Sequence, residues 1–235
     1  MGRCGDMTLR YAIYAAPATD DPLWQAAAVW LGRDASSGRI AAPPVIEGLD
    51  AADVSAYLAD PARYGFHATL KAPFQLAKHR SESELIDLFD SFARTSAPIL
   101  IPELIIRRLG SFFAFVPNEP VAALDRWAGA VVETFEPLRA PLADADIARR
   151  RKANLTLAEE AHLLRWGYPY VFDTFRFHMS LTGRVPREHA EAVDAALRTH
   201  FAAFDGRPWR LDRIAVFVEP EPGAPFSILR SRPLG

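Results

Sequence analysis

The chain has 235 residues, 50% of them hydrophobic and 24% charged, with a formal charge of −2 and a pI near 6.3. That balance offers no general attraction to a polyanion, so a long nucleic-acid track is not expected, whereas a small or terminal substrate is. The single cysteine, Cys4, excludes an internal disulfide and any cysteine-based zinc cluster. Together with an opening, MGRCGDMTLR, that lacks an apolar leader, it points to a reducing cytoplasm, and no run approaches the roughly 18 apolar residues of a membrane helix.

In chain order, LRYAIYAAP (9–17) has the aromatic and β-branched content of a strand ending at Pro17, and DPLWQAAAVWLG (21–32) reads as a helix with Asp21 as its N-cap. A Pro- and Gly-bearing loop runs to about residue 47. ADVSAYLADPARY carries a short helix, FHATLKAPF is a strand closed by Pro73, and SESELIDLFDSFARTSA is an amphipathic helix with a Ser81–Glu84 capping box. PELIIRRLGSFFAFVP (102–117) is a hairpin broken at Gly110. A second unit follows the same plan: helix VAALDRWAGAVVETFEPL, strand FRFHMSL, helix PREHAEAVDAALRTHFAAF, then WRLDRIAVFVEP and APFSILRSRPL as two strands. Its departure is an insertion at about 141–170, with a Thr156–Glu159 capping box and a short helix ending near Gly167.

This duplication predicts an α+β fold of two similar lobes within one bilobal domain over 1–235. The first motif lobe includes about 50–110 and the second about 170–235. The units share a motif: YGFHATLKAPF (64–74) returns as FRFHMSLTGRV (175–185). On a strand His67 and Thr69 share one face, and Phe66, Ala68 and Leu70 the other. His178 and Ser180 divide in the same way from Phe177, Met179 and Leu181. A pseudo-twofold axis brings two His-plus-hydroxyl pairs to opposite sides of one groove. That arrangement suits a phosphodiester: one imidazole takes a proton from the attacking water, the other gives one to the leaving oxygen, and the hydroxyls bond the non-bridging oxygens, with no metal and no cofactor required. The motif is weak in isolation, since His79-Arg80-Ser81 also fits it in a polar loop.

The paired His67-Ala68-Thr69-Leu70 and His178-Met179-Ser180-Leu181 resemble the two signature motifs of the 2H phosphoesterase superfamily. RYAIYAAP, WLGRD, YGFHATLKAPF and RWGYPYVFDTFRFHMSLTGRV are similar to its branch assigned to phosphonate metabolism. The resemblance spans about Leu9 to Leu234. It implies a bilobal fold in which two antiparallel-rich sheets line a central cleft with helices on the outer faces. It further implies that His67 and His178 are the acid–base pair, and that Thr69 and Ser180 hold phosphate oxygens. Ser180 stands where many relatives have Thr, which keeps the hydroxyl.

Six further residues are expected at the substrate: Tyr14, Tyr64, Lys71, Arg165, Tyr168 and Arg184. Lys71 either continues along the His67 face toward a phosphate or, if the strand bends before Pro73, turns away. The run Arg149-Arg150-Arg151-Lys152 is either a lid over an anion or a solvated turn, the latter favoured. The expected activity is hydrolysis of a small cyclic phosphate or phosphodiester in phosphonate metabolism, a cyclic ribose phosphate being the candidate that the resemblance suggests. RNA 2′,3′-cyclic or 2′-5′ end processing, or a non-catalytic sugar-phosphate or nucleotide binder, are the alternatives. The expected partner is a small phosphorylated substrate, with neither membrane nor long nucleic acid. Which histidine is acid and which base is open at this point.

Overall fold

The computed structural model describes residues 9–235, so Cys4 and the leader reading lie outside it. Its elements are β1 (Arg10–Ala15), α1 (Pro22–Leu31), α2 (Ala51–Tyr64), β2 (Ala68–Phe74), α3 (Glu82–Thr95), β3 (Ile99–Leu109) and β4 (Phe112–Pro117). They continue with α4 (Ala122–Phe135), α5 (Asp144–Arg151), α6 (Leu157–Trp166), β5 (Met179–Ser180), α7 (Ala190–His200), β6 (Arg207–Leu211), β7 (Arg213–Glu219) and β8 (Ser227–Pro233). The helix starts follow their local chemistry. Asp21 accepts from the Leu23 N–H at 2.7 Å, and both capping boxes, Ser81–Glu84 and Thr156–Glu159, are closed. No helix among the described residues is long and apolar enough to cross a membrane.

The fold is α+β, and its strands follow the order β6-β3-β4-β5-β2-β1-β7-β8 with every pair antiparallel. The two motif strands are central neighbours, joined at Ala68↔Met179. Four strands lie on either side of that seam. One half, β8-β7-β1-β2, combines the N-terminal strands with the C-terminal hairpin; the other, β5-β4-β3-β6, takes the middle of the chain. The halves therefore do not follow the sequence boundaries expected from the duplication. β3 sits with the second motif rather than the first, and β7 and β8 sit with the first rather than the second. Alternation and length tell which faces of a strand are buried, not which edge it joins.

WRLDRIAVFVEP is two strands, not one. β6 lies at one edge of the sheet and β7 next to the other, with only Asp212 between them, so the sheet must bend back on itself. β1 is apolar or aromatic from Tyr11 to Ala15 because both its faces are covered. Tyr11, Ile13 and Ala15 enter the large core with Phe89, Phe115 and Phe135, whereas Ala12, Tyr14 and Ala16 enter a smaller cluster with Trp24, Phe217 and Phe226. The motif strands anchor as expected: Phe66, Ala68 and Leu70, and Phe177, Met179 and Leu181, are all buried.

Candidate active site

The single register pair Ala68↔Met179 sets the site. Extended by one residue each way, an antiparallel ladder puts His67 opposite Ser180 and Thr69 opposite His178, all four on the same face. The two histidines are then diagonal neighbours, roughly 7–8 Å apart at the backbone, a gap that a phosphate group can occupy. A cleft of ≈ 460 Å³ opens beside His67 and Ser180, lined also by Tyr64, Phe112 and Arg184; His178 and Thr69 are not part of its lining.

Both imidazoles are held by the same device. His67 Nδ1 lies 2.8 Å from the Gly65 carbonyl and His178 Nδ1 lies 2.8 Å from the Arg176 carbonyl. A carbonyl only accepts, so each Nδ1 carries a proton and each Nε2 is left for chemistry. Thr69 Oγ1 is 3.1 Å from His67 Nε2 and donates to it. His178 immediately precedes its strand, which is shorter than expected, only Met179–Ser180.

The backbone that aims the Gly65 carbonyl is specific to glycine. Gly65 closes α2 with φ +80°, and a Cβ there would lie 2.5 Å from Ala35 Cβ. His67 is further fixed by Tyr14, whose ring stacks on it at 3.7 Å between centroids and 17° between planes. This half-buried imidazole is hard to protonate. Burial, reinforced by the nearby His178 and only partly opposed by the hydrogen bond to Gly65, lowers its pKa to about 4.

The other expected site residues divide. Tyr64 and Arg184 line the cleft, Arg184 exposed and Tyr64 stacked on Phe226 at 5.0 Å. Tyr14 is 1% exposed, so it supports His67 rather than meeting a substrate. Tyr168 is half-buried, close enough to Tyr64 and Tyr14 for their ionisations to interact, and burial raises its pKa to about 12. Arg165 is exposed on α6, its guanidinium 5.1 Å above the Trp166 ring.

Lys71 leaves the His67 face. β1 pairs Tyr14 with Thr69 but Ile13 with Lys71, so Leu70 and Lys71 together oppose one residue, and this bulge turns both to the helix side. The Lys71 ammonium is buried there, 2.7 Å from Glu136 and 3.2 Å from the Val132 carbonyl at the end of α4. Its counterpart Thr182 is also internal, accepting from the Phe113 N–H at 2.9 Å.

Two features escape a reading by motif. Phe112 packs 5.8 Å from the His178 ring, and its signal is only its place at the start of a strand. Glu219 is a fully buried carboxylate that accepts from Arg10, Arg63 and, at 3.0 Å, the Gly223 N–H. Among the described residues no group of three His, Cys, Asp or Glu side chains is arranged to hold a metal ion.

Residues 69–227, more than half the chain, match the family described as "Protein of unknown function (DUF1045)". The chain belongs to this family. Two curated relatives of this DUF1045 chain carry the name ribose 1,5-bisphosphate phosphokinase PhnN. The protein from Janthinobacterium sp. (strain Marseille) is 38% identical over 221 residues, covering 92% of this chain and 49% of its own length. The one from Laribacter hongkongensis (strain HLHK9) is 35% identical over 223 residues, covering 94% and 51%. The chain thus spans about half the length of these relatives. Solved structures similar to it include E. coli LigT complexed with 3′-AMP, at 10% identity and a TM-score of 0.42 over 97% of this chain and 98% of that one. Another is TT0787 of Thermus thermophilus, at 15% identity and a TM-score of 0.46 over 96% and 97%.

Proposed function

We propose that this chain is a metal-independent phosphoesterase that opens a small cyclic phosphate or cleaves a small phosphodiester by two-histidine acid–base catalysis, acting in the cytoplasm. The observation that carries this reading is the matched pair of imidazoles: both Nδ1–H groups are tied to a carbonyl two residues upstream, on neighbouring strands, with a hydroxyl beside each.

In the proposed reaction a water oxygen forms a bond to phosphorus as the bond to the leaving oxygen breaks. His67 Nε2 accepts the water proton, and protonated His178 delivers a proton from its Nε2 to the leaving oxygen. Thr69 passes its hydrogen bond from His67 to a non-bridging oxygen, and Ser180 bonds the other. The lowered pKa of His67 supports the base role for it, which leaves the acid role to His178. A cleft of ≈ 460 Å³ suits a sugar phosphate or nucleotide rather than a polymer. The relatives named for a ribose bisphosphate kinase support a ribose phosphate as the substrate and phosphonate metabolism as the setting.

The test is turnover of a panel of ribose cyclic phosphates and nucleoside 2′,3′-cyclic phosphates in excess EDTA. We expect hydrolysis of the ribose cyclic phosphates, undiminished by the chelator. Turnover of no member would overturn the reading, and activity lost to EDTA but restored by zinc or manganese would replace the two-histidine scheme with a metal one.

A further inference from the structure

The basic run of α5 resolves into unequal parts. Successive residues on a helix point about 100° apart, so the four cations cannot face one way. Arg149 pairs with Asp146 at 2.5 Å and Arg151 with Glu160, both at the surface, and Lys152 is exposed. Arg150 turns inward instead. Its guanidinium carbon lies 5.2 Å above the Tyr168 ring, its Nε is buried without a hydrogen-bond partner, and no carboxylate among the described residues forms an ion pair with it. Burial lowers its pKa, opposed in part by nearby Tyr168 and by Asp146, a carboxylate already paired with Arg149.

This unmatched cation stands at the far end of the His67 face. Tyr14, stacked on His67, shares a face of β1 with Ala12 and Arg10, and the register with β7 is regular along that stretch. Arg10 is four residues from Tyr14, about 13 Å by strand rise. A cavity of ≈ 220 Å³ lies at that end, lined by Arg10, Gln75, Asp146, Arg149 and Arg150. Tyr64 and Tyr168 connect the two places: Tyr64 lies 6.3 Å from the His67 ring, and both tyrosines are near enough to Arg150 for their charges to interact. The surroundings are cationic overall, because Arg10 and Arg63 share the one carboxylate of Glu219.

We propose that Arg150 and the cavity beside Arg10 form a second anion subsite, which takes a terminal phosphate of a substrate whose cyclic phosphate or diester sits at the histidine pair. The preferred substrate is therefore a doubly phosphorylated small molecule, a sugar or nucleoside bearing one phosphate in the reacting ring and another at its far end. The guanidinium supplies two parallel N–H donors to that phosphate, and the Tyr168 ring keeps it in place when the site is free. This inference rests on the phosphoesterase reading for what reacts, but not for what binds.

The experiment compares kcat/KM for a ribose cyclic phosphate with and without a phosphate on its 5-hydroxyl, in wild type, Arg150→Ala and Arg150→Lys. We expect wild type to prefer the doubly phosphorylated form by at least about tenfold, Arg150→Ala to erase that preference, and Arg150→Lys to keep part of it. A preference that is absent in wild type, or equal in wild type and Arg150→Ala, overturns the subsite while leaving the phosphoesterase reading intact. If neither form is turned over, that reading fails, and calorimetric binding of ribose 5-phosphate decides the subsite alone. Binding at least about tenfold weaker in Arg150→Ala supports it, and equal affinity overturns it.

Discussion

A histidine withdrawn from water is poorly placed to hold a positive charge, and this governs the acid limb of the reaction. His67 must be neutral to accept a proton, and its pKa is lowered from 6.5 to about 4. We therefore expect kcat/KM to hold as the pH falls through 6 and to drop only near pH 4; an acid limb in the ordinary histidine range would show that His67 is not the base. Replacing Tyr14 by Ala lets water reach the imidazole and should move that limb upward. If the limb does not move, the stack has no part in the tuning. The paired motifs and the inward Phe66, Ala68 and Leu70 were legible as alternation along a strand. The stack was not, because Tyr14 meets His67 only through the pairing of β1 with β2.

At the scale of elements, two local devices aim the site, and each has its own signature. Gly65→Ala should cost about 1–3 kcal/mol in denaturant unfolding, because φ is +80° and the new Cβ meets Ala35 at 2.5 Å. The same change at Gly38, also at positive φ but with nothing within 4 Å, should cost less, about 1 kcal/mol. Equal costs would mean that the Ala35 contact is unimportant. The bulge at Leu70–Lys71 makes the opposite kind of claim: Lys71→Ala should lose about 1–3 kcal/mol by removing the buried stem and its hydrogen bonds to Val132 and Glu136, which keeps Arg139 as a partner, with kcat/KM at the wild-type value. Lost turnover at unchanged stability would return Lys71 to the cleft. Strict alternation assigned Lys71 to the His67 face, and one extra residue in β2 reversed that. A bulge is set by the partner strand, so its own strand carries no mark of it.

For the whole molecule, the bent sheet depends on charges that no motif announced. Glu219, fully buried on β7, is pushed up by burial, but the hydrogen bonds from Arg10 and Gly223 and the charges of Arg10 and Arg63 outweigh this and hold its pKa below the usual carboxylate range. A carboxylate lowered in the folded state stabilises above its unfolded pKa, and that contribution is lost as the pH falls through the folded value. His67 acts in the same direction over pH 6.5 to about 4, since the unfolded chain binds its proton more readily. We expect Glu219→Gln to lose about 3 kcal/mol at neutral pH and to flatten the acid arm of the stability curve below pH 4. A variant as stable as wild type would show that the cluster is not structural.

Periodicity, caps and turn glycines made most elements readable, and the α+β architecture with them. The assembly of strands into halves was not readable, because β7, carrying β8 on its other edge, joins β1 across almost the whole chain, a choice made by burial and edge pairing rather than by local pattern. The claim that depends on that assembly is that two histidines from distant segments share one phosphate. The most direct measurement is kcat/KM on a ribose cyclic phosphate for His67→Ala and His178→Ala, each checked for wild-type stability. We expect each to lose roughly 10²–10⁴-fold. Wild-type turnover in either variant would contradict the paired-histidine site.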